Sequence, residues 1–270
     1  MAIRGDDVLL VERVPEKHYA VLTVNREERG NSINFDLARR LAQEWPRLKA
    51  DDEIWAVILT AVGDRFFCAG EDLKDRAELD EEYEGGFVQY VDDQGGWAKL
   101  APVDHEFWKP IIGAVNGFAV AGGWFLSQIC DVRIAAEHAM FGVPEVRWNL
   151  PASFMAQAAR MIPPAMVMEM TLWGARQYTA QRMYEVGWVN KVVPREQLLD
   201  EAIQWAEEVC EMGPVSVWTH KELIYRYLFQ DDHWAQRFGL ALFDKVEAME
   251  DSIEGPRAFA EGRPPEWKLR

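Results

Sequence analysis

The chain has 270 residues, 49% of them hydrophobic, enough for a substantial core in one large domain or a domain with an appended module. A formal charge of −16 argues against nucleic acid as a partner, because polyanion binding relies on clustered Lys and Arg. No apolar run reaches the roughly eighteen residues of a membrane span, and Met1-Ala2-Ile3-Arg4 leads into acidic Gly5-Asp6-Asp7 instead of an apolar signal core. Together with three widely spaced cysteines (Cys68, Cys130 and Cys210), these features predict a cytoplasmic protein without membrane contact. The five histidines are scattered, so no metal site is expected.

In chain order, Val8 to Val14 and Tyr19 to Val24 predict two strands joined by Pro15-Glu16-Lys17. A helix follows over Phe35 to Leu48, with Asn34 as its N-cap and Pro46 expected to kink or shorten its end. Ile54 to Leu59 is a buried strand, and Phe66 to Leu73 a small-residue turn. From Asp72 to Trp108 the pattern is weak, and Tyr83, Phe87, Tyr90 and Trp97 there read as core or interface packing. Ile111 to Val115 and Val132 to Ala135 are further strands, with a helix over Trp124 to Ile129 between them. Helices are predicted over Ala152 to Met161, Pro164 to Trp173 and Ala180 to Glu185, and a last strand over Trp188 to Val193. From Pro194 the chain turns helical: Arg195 to Met212, Val215 to Phe229, Asp232 to Glu247 and Ser252 to Glu261. Strands alternating with helices give an α/β fold, divided here into a core over 1–194 and a helical module over 195–270.

The stretch Lys109 to Pro151 organises the chemistry. Ala121-Gly122-Gly123 is a glycine-rich turn feeding a helix, which presents backbone N–H groups to an anion or to a carbonyl oxygen gaining charge. Further along, Glu145 follows Phe141-Gly142-Val143-Pro144. Amide donors and a carboxylate converging on one carbonyl would make an enolate-forming site. Glu145 as a structural carboxylate paired with Arg147 is the competing reading.

Three ordered motifs, FCAGEDL (67–73), NGFAVAGG (116–123) and FGVPE (141–145), resemble the crotonase (enoyl-CoA hydratase/isomerase) superfamily, the second with one extra residue before its Gly-Gly pair. NREERGNSIN (25–34) looks like that family's first CoA-binding loop, and EGPRAFAEGRPPEWK like its C-terminal helix and tail. The resemblance implies a ββα spiral core and a C-terminal module that builds trimers or dimers of trimers. It also implies an acyl-CoA thioester as substrate, with no cofactor beyond that coenzyme A. By motif position the oxyanion donors would be the amides of Glu71 and Gly122. Coenzyme A would meet Arg26, Arg29, Ala69, Asp72 and Leu73, and Trp124, Phe125 and Trp148 would wall the acyl pocket, with core packing the competing reading for both tryptophans. By the same resemblance Tyr83, Phe87, Tyr90 and Trp97 are candidates to line a tunnel for the acyl group.

The family's hydratases carry two glutamates. Glu145 matches one; Phe125 stands at the other position, three residues after Gly122. The string EVRWNLP (145–151) is similar to hydroxycinnamoyl-CoA hydratase-lyases, which keep this single glutamate, so a hydratase or hydratase-lyase on a bulky or aromatic enoyl-CoA is expected. Double-bond isomerisation is the second reading. Thioester hydrolysis ranks lower because Ser153 stands where the family's hydrolases have an aspartate, and a non-catalytic acyl-CoA-binding scaffold is the alternative of another class. Ser127, Gln128 and Tyr90 are unsupported candidates for a second acid.

Overall fold

A computed structural model describes residues 7–76, 100–148, 150, 152–229, 249–251, 254, 258, 261, 263 and 266–270. The fold is α/β, with two sheets flanked by helices and a helical C-terminal region, in the ββα arrangement expected of crotonases. The larger sheet has the order β1-β2-β3-β5-β7-β10, formed by Leu9–Val14, Tyr19–Val24, Ala56–Ala61, Ile111–Val115, Val132–Ala136 and Lys191–Val193. Only β1 and β2 pair antiparallel in it; the remaining neighbours are parallel. The smaller sheet, β4-β6-β8-β9, is formed by Phe66–Cys68, Phe118–Val120, Met140–Gly142 and Tyr178–Thr179.

The large sheet is apolar on both faces, as parallel strands covered on each side must be. Ala20, Leu22, Val24, Val57, Leu59 and Val115 point into the core shared with the small sheet and helix α1 (Phe35–Lys49). Their alternates, Tyr19, Val21, Ile58, Ala114 and Ile134, point into a second core on the far face. That face is covered by helix α6 (Leu198–Cys210), which buries Leu198, Ala202, Ala206 and Cys210 at a four-residue spacing. The chain therefore crosses residue 195 without leaving the packed body. Helix α7 (Pro214–Phe229) is also tied to the large sheet: Trp218 Nε1 donates to the Trp55 carbonyl (3.2 Å), and Lys221 pairs with Asp131 at 2.8 Å.

Large-sheet strands run on into small-sheet strands through short corners, β3 into β4, β5 into β6 and β7 into β8. These corners stack. Asn116 Nδ2 donates to the carbonyls of Ala61 (3.0 Å) and Gly63 (2.8 Å), and His138 Nε2 lies 2.7 Å from the Asp64 carbonyl. A β-carbon on Gly117 would lie 2.5 Å from Arg65 backbone atoms, so only glycine lets these corners meet.

Several predicted elements differ in extent. Pro46 does not stop α1, because it falls in the last turns and the helix continues to Lys49. Residues 152–161 form only a short helix, α3 (Met155–Ala158), flanked by tighter turns such as Met155 N to Ala152 O and Arg160 N to Gln157 O. Helices α4 (Pro164–Leu172) and α5 (Ala180–Glu185) start where expected, with Pro164 in the first turn and Thr179 capping the Arg182 amide. Trp188 and Val189 do not join the last strand, since both amides turn back to the Met183 carbonyl. The predicted helix at 232–247 lies outside the described residues, as does most of that at 252–261.

Candidate active site

The three motifs meet at one edge of the small sheet. Strands β4, β6 and β8 are adjacent and parallel, with Cys68 beside Ala119 and Val120 beside Gly142. Their C-terminal ends therefore point the same way, and each runs directly into a motif: Ala69 to Asp72, Ala121 to Gly123, and Val143 to Glu145. Crevices outside the carboxyl ends of parallel strands are where α/β proteins commonly bind ligands. The Ala121 amide ties two of these ends by donating to the Gly142 carbonyl at 3.0 Å.

Close packing fixes the two predicted amide donors beside each other. A β-carbon placed on Gly122 would lie 3.4 Å from the Glu71 nitrogen. Gly123 permits the approach: a β-carbon there would sit 1.9 Å from the Cys68 carbonyl oxygen, so the first turn of helix α2 (Gly122–Gln128) rests directly on the end of β4. Gly70 adopts φ +104°, and a β-carbon on it would meet that of Ala121 at 2.7 Å. Ala121 itself holds φ 55° and ψ −125°, a conformation that costs a non-glycine residue about 1–3 kcal/mol and persists only where its surroundings enforce it.

Glu145 opens the 3₁₀ turn Glu145–Trp148 and is 8% exposed. Its carbonyl accepts from the Leu150 amide at 3.1 Å, while carboxyl Oε2 is buried without a hydrogen-bond partner among the described residues. Burial pushes the carboxyl up from 4.5 to about 7, only partly opposed by a backbone hydrogen bond. An ionised carboxylate without a partner is disfavoured away from water. This geometry gives no support to a Glu145–Arg147 pair.

The other predicted site residues divide. Phe125 lies half-buried on α2, its ring 5.8 Å from that of Phe154, a neighbour the sequence pattern gave no reason to single out. Trp124 is not a pocket wall: it is fully buried, stacked on Trp188 at 4.0 Å, and its indole N–H donates to Gln128. The side chain of Trp148 lies outside the described residues, as do Tyr83, Phe87, Tyr90 and Trp97. Ser127 and Gln128 are engaged locally, Ser127 donating to the Trp124 carbonyl and Gln128 to the Phe154 carbonyl. The Cys68 thiol is buried and pushed up to about 12 by that burial, in keeping with a packed side chain.

Of the five residues expected to meet coenzyme A, two are turned inward. Arg26 and Asp72 are 6% exposed and form an ion pair at 2.9 Å, so neither presents its charge to a ligand in this structure. Arg29, Ala69 and Leu73 remain at the surface of the same loop pair, with the Arg29 guanidinium 36% exposed and 3.6 Å from Asp75.

One edge thus carries two neighbouring amides and one carboxyl poised near neutrality. Such an arrangement can polarise a carbonyl and exchange a proton beside it. A family model described as enoyl-CoA hydratase/isomerase matches residues 16–270. Carnitinyl-CoA dehydratase of Proteus mirabilis is 34% identical over 249 residues, covering 90% of this chain and 92% of its own. Enoyl-CoA hydratase EchA19 of Mycobacterium tuberculosis is 32% identical over 270 residues, covering 98% of each. Among solved structures, an enoyl-CoA hydratase from Bacillus anthracis superposes with a TM-score of 0.86 at 32% identity, covering 97% of this chain and 100% of its own. One from Mycobacterium tuberculosis gives 0.87 at 32%, covering 98% and 100%. The chain belongs to the enoyl-CoA hydratase/isomerase family of the crotonase superfamily, enzymes that act on acyl-CoA thioesters.

Proposed function

We propose that the protein is a hydratase, or hydratase-lyase, on a bulky or aromatic α,β-unsaturated acyl-CoA, with Glu145 as its single proton-transfer group. The observation that carries this reading is the Glu145 carboxyl, buried with Oε2 unbonded among the described residues and pushed up to about 7, at the strand edge that holds the Glu71 and Gly122 amides. A group with that value is present in both forms at neutral pH, so it can accept a proton and return it. In the hydration direction the Glu145 carboxylate takes a proton from water as its oxygen bonds to the β-carbon. The π electrons move onto the thioester oxygen, where the two amides stabilise the enolate. The same carboxyl then delivers its proton to the α-carbon. One water is added, and the carboxylate is regenerated.

Phe125 offers no carboxylate that could orient the water, so a second glutamate is not part of this scheme. The names of the curated relatives, a dehydratase and a hydratase, support water addition or removal. The half-buried Phe125–Phe154 pair beside the Gly-Gly turn supports a planar or bulky acyl group. The single carboxyl also fits a double-bond isomerase, which needs one proton shuttle.

The test is incubation with 2-enoyl-, 3-enoyl- and cinnamoyl-CoA in deuterated water, read by mass spectrometry, with Glu145→Gln alongside. The expected result is gain of one water, or release of an aldehyde fragment after it, lost in the variant. Deuterium incorporation with a shifted double bond and no added water would replace this reading by isomerisation. Water addition that persists in Glu145→Gln would remove Glu145 from the mechanism.

A further inference from the structure

The loop Arg26–Ile33 lies alongside the turn Ala69–Asp72 as a short strand-like pair. The Ala69 amide donates to the Gly30 carbonyl (3.0 Å), the Ile33 amide to the Gly70 carbonyl (2.7 Å), and the Asp72 amide to the Ile33 carbonyl (2.9 Å). Ile33 and Glu71 thus form a parallel bridge. Backbone N–H groups on successive residues of an extended segment point to opposite sides. With the Asp72 amide and the Gly70 carbonyl committed to Ile33, the Glu71 N–H is aimed the other way. Gly122 lies on that side.

What holds the bridge in register is buried charge. The Arg26 guanidinium donates to Asp72 Oδ2 at 2.9 Å and to the Ser32 carbonyl, and the Ser32 hydroxyl donates to the same Asp72 oxygen at 3.2 Å. Asn31 continues the clamp: its Oδ1 accepts from the Arg26 amide (3.0 Å), and its Nδ2 donates to the carbonyls of Val62 (3.0 Å) and Phe66 (2.7 Å). Asp72 Oδ1 in turn accepts from the Lys74 and Asp75 amides, and the Arg26 guanidinium also lies 3.6 Å from Asp75, so both side chains are engaged within the protein. A surface phosphate clamp would keep its guanidinium open to solvent, as Arg29 does.

We infer that Arg26 and Asp72 are positioning residues for the reaction: their buried ion pair fixes the Ile33–Glu71 bridge and thereby aims the Glu71 amide towards the thioester oxygen. This rests on the reading of Glu71 and Gly122 as the oxyanion donors. Neither side chain touches the substrate; both act through the backbone. Buried pairs are costly to break because the remaining charge is left uncompensated, so loss of either member should let the bridge shift. Displacements of about 1 Å can cost a reaction around a hundredfold.

Asp72→Asn, Arg26→Gln and Arg26→Lys in the full chain test this. Each is compared with wild type for kcat and KM on the enoyl-CoA that wild type hydrates best, and for calorimetric Kd of free coenzyme A. Thermal unfolding confirms that each variant folds. Asp72→Asn and Arg26→Gln should lower kcat about 10- to 100-fold, with KM and the coenzyme A Kd within about twofold, and Arg26→Lys, which can still pair with Asp72, should recover most of the loss. If Arg26→Gln does not fold, the isosteric Asp72→Asn decides. Full kcat in Asp72→Asn overturns the assignment, as does a fall in coenzyme A affinity that matches the loss of activity. With Glu145→Gln inactive, such a result sinks the positioning role alone. A wild-type enzyme that hydrates nothing in the panel sinks the functional reading and the positioning role together.

Discussion

The six-stranded sheet is made of strands of three to six residues with apolar side chains on both faces, whereas no strand of the four-stranded sheet exceeds three residues. The first is covered on both faces, by α1 and the small sheet on one side and α6 on the other; the second has few ladder bonds and depends on stacked corners and on glycines at close approaches. Yet all three motifs leave the second sheet. The chemistry is thus gathered at the ends of the shorter strands, together with the costly features: Ala121 in a strained conformation and a carboxyl buried with Oε2 unbonded among the described residues.

That division can be broken experimentally. The largest effect should come from Glu145→Gln, which removes the proton shuttle: kcat should fall about 10²- to 10⁴-fold, roughly 3–5 kcal/mol of barrier. Steady-state hydration assays check it, and circular dichroism should show an unchanged fold. Leu59→Ala in the large sheet should do the reverse. Emptying that fully buried position should cost about 2–5 kcal/mol in denaturant unfolding, while kcat per folded molecule stays at the wild-type value. A large kcat change in Leu59→Ala would show that the sheets are not separable.

A third prediction uses Glu145 a second time. Its folded-state value of about 7 lies above the ordinary 4.5, so between those values the unfolded chain holds fewer protons on this group than the folded one. Stability therefore falls as pH rises from about 4.5 to 7, and above 7 the full penalty of up to about 3 kcal/mol is present. Glu145→Gln should then unfold at a higher temperature than wild type at pH 8, and the difference should vanish near pH 4. The wild-type pH–rate profile should carry an inflection near 7 from the same group. The smallest effect is expected at Asn34, whose side chain accepts from the Leu37 amide at 3.0 Å. Asn34→Ala should cost about 1 kcal/mol through loss of the cap, again without altering kcat.

The same contrast explains what could be read without coordinates. Large-sheet strands such as Ala56–Ala61 and Ile111–Val115 are continuous apolar runs between turn residues, and α1 and α5 carry caps at Asn34 and Thr179. Phe66–Cys68, Phe118–Val120 and Met140–Gly142 are too short to show any periodicity. The first falls in a small-residue turn and the other two carry no element signal, although the motif residues at their ends can be named. Order along the chain therefore exposed the amides and Glu145, but not the three parallel strands that gather them. That Arg26 and Asp72 turn inward was hidden for a related reason: charge and loop position look alike whether a side chain faces a phosphate or a buried counter-ion 46 residues away in the chain. Trp124 likewise satisfies its indole N–H within its own helix and stacks on distant Trp188, a partner that no local pattern discloses.

The pairing of β7 with β10 has a consequence for how the chain is made. Val132–Ala136 is almost entirely apolar, and its outer edge is covered only when Lys191–Val193 arrives, 55 residues beyond Ala136. At synthesis rates of about 5–20 residues per second, that edge emerges roughly 3–11 seconds before its partner. During that interval a nascent chain already carrying most of the large sheet presents unpaired strand N–H and C=O groups, the template on which chains pair with one another. Only the β1–β2 hairpin can close locally in microseconds; every other pairing in the large sheet awaits a long crossover. Solubility during production should accordingly be governed by the crossover from 137 to 190, even though none of the proposed catalytic residues except Glu145 lies within it.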